Sequence, residues 1–171
     1  MNYRLYSFVA NHYISPLQCG LQTAHVVSEM ATAASCSPAS PATTDFHTWA
    51  REDKTIIICG AGNHKGVRDC YDQLYMLGFT ELALQVAIFH EDLESMNCMA
   101  TACGVIVPEK YWNVEFFEGG ATQDQDGKTV KFVDPYWEHG YEVGGQLQQV
   151  RYPLTSPAGQ FISHIKQYRL A

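Results

Sequence analysis

Hydrophobic and polar positions follow two rhythms along the first two thirds of the chain. Residues 3–10, YRLYSFVA, are apolar and aromatic enough for a first strand. Ser15-Pro16 then marks a helix start, because serine is a good N-cap and proline suits the first helical position. Leu17, Leu21, Ala24 and Val27 or Ser28 follow at helical spacing. They predict a helix to about residue 34, with Leu21 and Ala24 against a sheet. Residues 35–44, SCSPASPATT, are expected to form a loop. A helical turn around Asp45–Arg51 would anchor Trp49 on the core. Thr55–Cys59 is a short unbroken apolar run, as in a strand buried on both faces.

The next helix spans 65–77. Val67, Cys70, Tyr71, Leu74 and Leu77 keep the amphipathic pattern, and Gly78 stops it. Leu82, Leu84, Val86 and Ile88 alternate in a third strand. Thr101–Val107 gives a fourth, ended by Pro108. This order predicts an α/β fold: a small mixed four-stranded sheet sandwiched by helices, within residues 1–108.

Residues 109–171 are expected to be an extension packed on that core. YWNVEFF (111–117) and KTVKFVD (128–134) flank GGATQDQDG, as in a β-hairpin with a long polar loop. Ser156-Pro157 starts a short helix that carries Phe161, Ile162, Ile165 and Tyr168. Tyr111, Trp112, Phe116, Phe117, Tyr136 and Trp137 suit the cover of a sheet edge or a contact in a homodimer, with base stacking as the alternative. There is no internal repeat.

Composition narrows the function. The chain has 171 residues, 46% hydrophobic and 17% charged, which suits one globular domain. Apolar runs reach only about five residues, too short to span a bilayer. The first ten residues lack a signal-peptide pattern. A cytosolic protein without a membrane partner is expected. The net charge is −7, with 11 lysines and arginines. Binding tRNA or a duplex calls for a basic stripe. The nearest approach is Lys65 with Arg68, and Asp69 and Asp72 follow at once. A long nucleic acid is therefore not an expected partner, whereas a small nucleotide is compatible. Cys19, Cys36, Cys59, Cys70, Cys98 and Cys103 form no C-x-x-C pair and read as small hydrophobes. No residue spacing calls for a metal, and no cofactor is expected.

Ligands of open α/β sheets favour the crevice beyond the carboxyl ends of the strands. TIIICGAGNHKGVR (55–68) supplies one such end. Its glycine spacing fits neither a P-loop nor a dinucleotide fingerprint. One reading is a tight turn with Asn63 as N-cap. The other is an anion site built from glycine backbone, a helix N-terminus and Lys65. FHEDLESMN (89–97) supplies Glu91 and Asp92, which suit a general base, a ribose hydroxyl acceptor or a metal ligand, and Asn97 as a further contact. His12 and His64 sit on strand-end loops, where either can reach a phosphate or donate a proton. Gln22 and His25 lie one turn apart on one helix face.

These residues carry a resemblance. QTAH (22–25) on the first helix, Trp49 before the second strand, ELALQVAIF (81–89) followed by Asp92, and TACGVIV (101–107) resemble, in that order, the type 2 peptidyl-tRNA hydrolase family. The turn FHEDLESMN and the strand TACGVIVP also look similar to short uncharacterised phage and prophage proteins. The resemblance covers about residues 2–108 and implies a four-stranded mixed sheet between helices. The family cleaves the ester between a peptide and the 3′ end of tRNA. Its lysine-rich approach to the first helix is ISPLQCG here, without a base. The expectation is therefore a pocket for a small nucleotide-type ligand whose phosphodiester or ester bond is hydrolysed. His25, His64 and Asp92 are the catalytic candidates. His12, Gln22, Asn63, Lys65, Glu91 and Asn97 are the binding candidates. The alternatives are sequestration of a nucleotide signal without turnover and peptidyl-tRNA hydrolysis; a phage origin would suit either hydrolysis or sequestration of a nucleotide signal.

Overall fold

Nine consecutive buried residues, Ala100–Pro108, form the strand around which the sheet is built. The computed structural model describes residues 2–37, 39–112 and 155–170, with the backbone of short strand segments between 115 and 153. The central strand, β4, follows β1 (Tyr3–Val9), β2 (Thr55–Gly60) and β3 (Val86–His90) in the chain. It lies antiparallel between β1 and β3. β1 is parallel to β2, and Arg169–Leu170 adds a last short strand antiparallel to β2. The mixed α/β class agrees with the sequence reading. The sheet has five strands instead of four. The added one is two residues long, too short to show alternation.

The helices are α1 (Pro16–Cys36), α2 (Pro41–Thr48), α3 (His64–Gln73), α4 (Leu93–Met96), α5 (Glu109–Trp112) and α6 (Pro157–Lys166). Side chains alternate across the sheet. Leu5, Val9, Ala102 and Ile106 face α1 and α2. Phe8, Cys103, Val105 and Val107 face α3 and α6.

A capping box starts α1. Gln18 N–H donates to Ser15 Oγ over 3.1 Å, and Ser15 N–H donates to Gln18 Oε1 over 3.4 Å. Such a cap contributes about 1 kcal/mol. The helix carries two apolar stripes, and the sheet takes the one that periodicity passed over. Gln22, Thr23, Val26, Met30 and Ala34 are buried. Leu17 stays 83% and Leu21 55% exposed, and Ala24 is exposed as well. Gly104 of β4 shows how Val26 is admitted. A Cβ there would stand 3.0 Å from Val26 Cγ1 and 2.9 Å from the Tyr6 carbonyl oxygen.

The predicted loop at 35–44 shrinks to 37–40, because Ser40-Pro41 is itself a helix start that caps α2. Trp49 is buried as expected, and its Nε1–H donates to Thr55 O over 3.0 Å. β2 is less covered than its unbroken apolar run suggests. Thr55 and Ile56 are exposed, since only the two-residue strand lies beyond β2. Beyond α3 the chain does not stop at Gly78. It widens into π-helical turns over Leu74–Glu81. Ala83 then takes a left-handed conformation, φ 53°. β3 therefore begins at Val86, later than the alternation predicts.

α6 starts as predicted, with Ser156 Oγ accepting from Gly159 N–H over 3.1 Å. It fills one side of the core with Phe161, Ile162 and Ile165. Among the described residues, the arms of the hairpin expected between 111–117 and 128–134 take other partners. Glu109–Trp112 is helical, Glu115–Phe117 pairs in parallel with Arg151–Pro153, and Ala121–Gln123 pairs with Thr129–Lys131. An apolar run does not by itself name its partner strand. Trp112 packs under the Arg4 guanidinium at 3.5 Å. Tyr136 and Trp137, and the side chains of Phe116 and Phe117, lie outside the described residues. Among the described residues no helix is long and apolar enough to cross a membrane.

Candidate functional site

β1, β2 and β3 run the same way, so their carboxyl ends share one edge of the sheet. β2 and β3 are separated by β1 and β4, and the loops alone close that gap.

The glycine-rich turn after β2 is pinned to the loop after β1. Ala61 N–H donates to Val9 O over 2.8 Å, and Asn11 N–H donates to Gly62 O over 2.6 Å. Gly62 N–H donates in return to Asn11 Oδ1 over 3.3 Å. Gly62 sits at φ 78°, a left-handed conformation that glycine adopts at little cost. Gly66 lets the first turn of α3 rest on the strand end, where a Cβ would lie 2.1 Å from Ala61 O. Asn63 caps α3 as predicted, its Oδ1 accepting from Gly66 N–H over 3.0 Å. The turn is thus a chain reversal with a steric reason for its glycines.

A polar chain of four side chains runs from α1 to the loop after β3. Thr101 Oγ1 donates to Gln22 Oε1 over 2.7 Å. Gln22 Nε2 donates to Glu91 Oε1 over 2.9 Å, and the Tyr13 hydroxyl donates to the same oxygen over 2.8 Å. An ionised carboxylate only accepts, so Gln22 must turn Nε2 toward Glu91 and Oε1 toward Thr101. Thr101 is 0% and Gln22 3% exposed, while Glu91 is half-buried. Glu91 Oε2 has no hydrogen-bond partner among the described residues. Burial, and then the bond to Glu91, push the Tyr13 phenol up to about 12. Tyr13 therefore stays a donor at neutral pH. The four members come from α1, β4, the loop after β1 and the loop after β3, and the sheet brings them together.

Two grooves open beside this chain. One, of about 600 Å³, is lined by Asn11, Tyr13, Ile14, Cys19, Gln167 and Arg169, among others. The second, of about 410 Å³, is lined by His64, Lys65, Arg68 and residues 96–100. Among the described residues no group of three or more His, Cys, Asp or Glu is arranged to hold a metal ion.

The sequence-derived candidates divide between these places. Gln22 and Glu91 meet in the polar chain. His64, Lys65 and Asn97 line the second groove. Lys65 Nζ lies 2.6 Å from Asp69 Oδ2, one turn along the exposed face of α3. Asn97 and Cys98 both adopt left-handed backbone, φ 52° and 56°, to turn the chain into β4. Asp92 is exposed, and its carbonyl closes that turn by accepting from Met96 N–H (3.2 Å) and Cys98 N–H (3.3 Å). His12 is exposed with its ring 4.3 Å from that of Tyr13. His25 stacks on Phe89 at 4.2 Å, with the rings 8° from parallel.

Sequence reasoning missed Tyr13, Thr101, Arg68 and Arg169. Arg68 Nη2 lies 3.4 Å from His90 Nε2 at the mouth of the second groove. Arg169 reaches the first groove by pairing beside Gly60. Thr101 and Arg68 lie in segments singled out above for other reasons, Tyr13 and Arg169 in none, and only their positions in space mark the four as site residues. In comparisons with known proteins, the chain matches no family model and no curated protein.

Proposed function

We propose that the protein is a hydrolase for an ester or phosphodiester bond in a small nucleotide-type ligand, with Glu91 as general base. The bonding of Glu91 carries this reading. Two donors, Tyr13 and Gln22, hold Oε1. Oε2 is left to accept a proton from a water molecule. A carboxylate held in one orientation by its own partners is suited to that task. In this reading Glu91, not the exposed Asp92, is the base, and Gln22 and Thr101 are positioning residues. His64, Lys65 and Arg68, with the partial positive charge at the start of α3, supply the face that suits a phosphate. The water proton goes to Glu91 Oε2 and its oxygen attacks the ester carbon or phosphorus. The departing oxygen takes a proton from His64.

Glu91→Gln tests the assignment, because the amide oxygen still accepts from Tyr13 and Gln22 while no base remains. Parent and variant are incubated with a panel of nucleotides and nucleotide esters, and products are separated by mass. The variant is expected to lose at least about 100-fold in turnover and to keep its ligand. Turnover by the variant at the parent rate would overturn the assignment. One observation favours a second reading: His25 stacks on Phe89 and His64 starts α3, and no imidazole is hydrogen-bonded to Glu91 among the described residues. A parent protein that retains its ligand intact, with no product, would be a nucleotide-sequestering protein.

A further inference from the structure

We infer that the ligand has two halves, a ring-bearing half in the groove beside Arg169 and a phosphate-bearing half in the groove beside Arg68, joined at Glu91. This rests on the reading of Glu91 above and extends it to a substrate class, a dinucleotide-type molecule.

The two grooves approach each other at Tyr13 and Met96. Tyr13 lines the first groove and donates to Glu91. The same hydroxyl lies 3.5 Å from Met96 Sδ, and Met96 lines the second groove. Asn11, in the wall of the first groove, is bonded in both directions to Gly62, close in sequence to His64 in the second. Tyr13 and Met96 thus stand between the grooves, and Glu91 is bonded to Tyr13 through Oε1.

The lining of each groove suits a different half. In the first, no carboxylate pairs with Arg169 among the described residues. Ile14 and Leu170 stand beside it 88% and 78% exposed. Large apolar side chains gathered with an unpaired guanidinium suit a planar ring, which arginine can stack on and hydrogen-bond. The volume falls within the usual range for small-molecule sites. In the second groove Asp69 engages Lys65, so Arg68 is the guanidinium that meets a phosphate. A mononucleotide fills one groove and leaves the other empty. A linked pair makes the second contact intramolecular and gains affinity from it.

The test uses binding in the turnover-deficient Glu91→Gln protein, measured by titration calorimetry. The probes are the dinucleotides ApA, CpC, GpG and UpU and their 5′-mononucleotides. At least one dinucleotide is expected to bind about tenfold or more tighter than its mononucleotide. Arg169→Ala should erase that advantage and leave mononucleotide affinity within about twofold, whereas Arg68→Ala should weaken both. Equal affinities, no binding by any probe, or an advantage that survives Arg169→Ala would overturn the inference. The two readings fail separately. A dinucleotide advantage without hydrolysis by the parent removes the hydrolase and keeps the two-part ligand. Hydrolysis of a mononucleotide ester without any dinucleotide advantage does the reverse.

Discussion

Gln22 on α1 donates to Glu91 beyond β3 over 2.9 Å, across 69 positions of sequence. The bond joins a helix to a strand end, and Thr101 in the central strand sets its direction. Thr101→Val keeps the shape of the side chain and removes the donor to Gln22 Oε1. A buried carbonyl oxygen without a partner costs about 1–3 kcal/mol. A urea melt is expected to show that loss, and kcat is expected to fall more than ligand affinity because Gln22 no longer holds Glu91 in one orientation. Unchanged stability and kcat would show that Thr101 does not position the site.

The first turn of α3 gives a prediction of opposite sign to helix propensity. Glycine to alanine inside a helix usually stabilises by up to about 1 kcal/mol. At Gly66 the added Cβ meets Ala61 O at 2.1 Å, and Ala61 is held to β1 through its own N–H. Gly66→Ala is expected to destabilise by about 1–3 kcal/mol, as other overpacked sites do. A variant more stable than the parent in a denaturant melt would show that the turn gives way freely.

The two stripes of α1 separate in a mutant pair. Met30 is fully buried, so Met30→Ala should cost about 2–5 kcal/mol. Leu17 is 83% exposed, and Leu17→Ala should stay within about 0.5 kcal/mol of the parent. Similar losses for the two would place the helix the other way round.

Tyr13 makes a prediction in alkali. Its pKa is raised from 10.0 to about 12 in the folded state, first by burial and then by the bond to Glu91. A raised folded pKa favours the protonated form. That contribution is fully present below pH 10 and is lost as pH rises to about 12. The stability difference between the parent and Tyr13→Phe should therefore be constant below pH 10 and shift against the parent above it. A difference that stays flat through this window would mean that the phenol is not held by Glu91.

Much of the architecture was legible in local pattern. Ser15-Pro16 and Ser156-Pro157 announced two helices because capping chemistry acts within a few residues. Ser40-Pro41 carried the same signal and was absorbed into a loop by its small, polar neighbours. The apolar run at 101–107 marked a strand, and the three strand-end loops marked the edge where polar groups collect. Gln22 and Glu91 were each singled out, but as separate residues with separate purposes.

Periodicity and spacing are properties of neighbours in the chain, and they gave most of the elements up to residue 108 and the α/β class. They could not choose between two apolar stripes on α1. Both have helical spacing, and the choice depends on Gly104 leaving room for Val26 across the sheet. Nor could they join Tyr13, Gln22, Glu91 and Thr101, whose hydrogen bonds span 69 to 79 positions. Hydrogen bonds form between atoms about 3 Å apart, and for residues so distant in sequence only the packing of the sheet and its helices sets that distance.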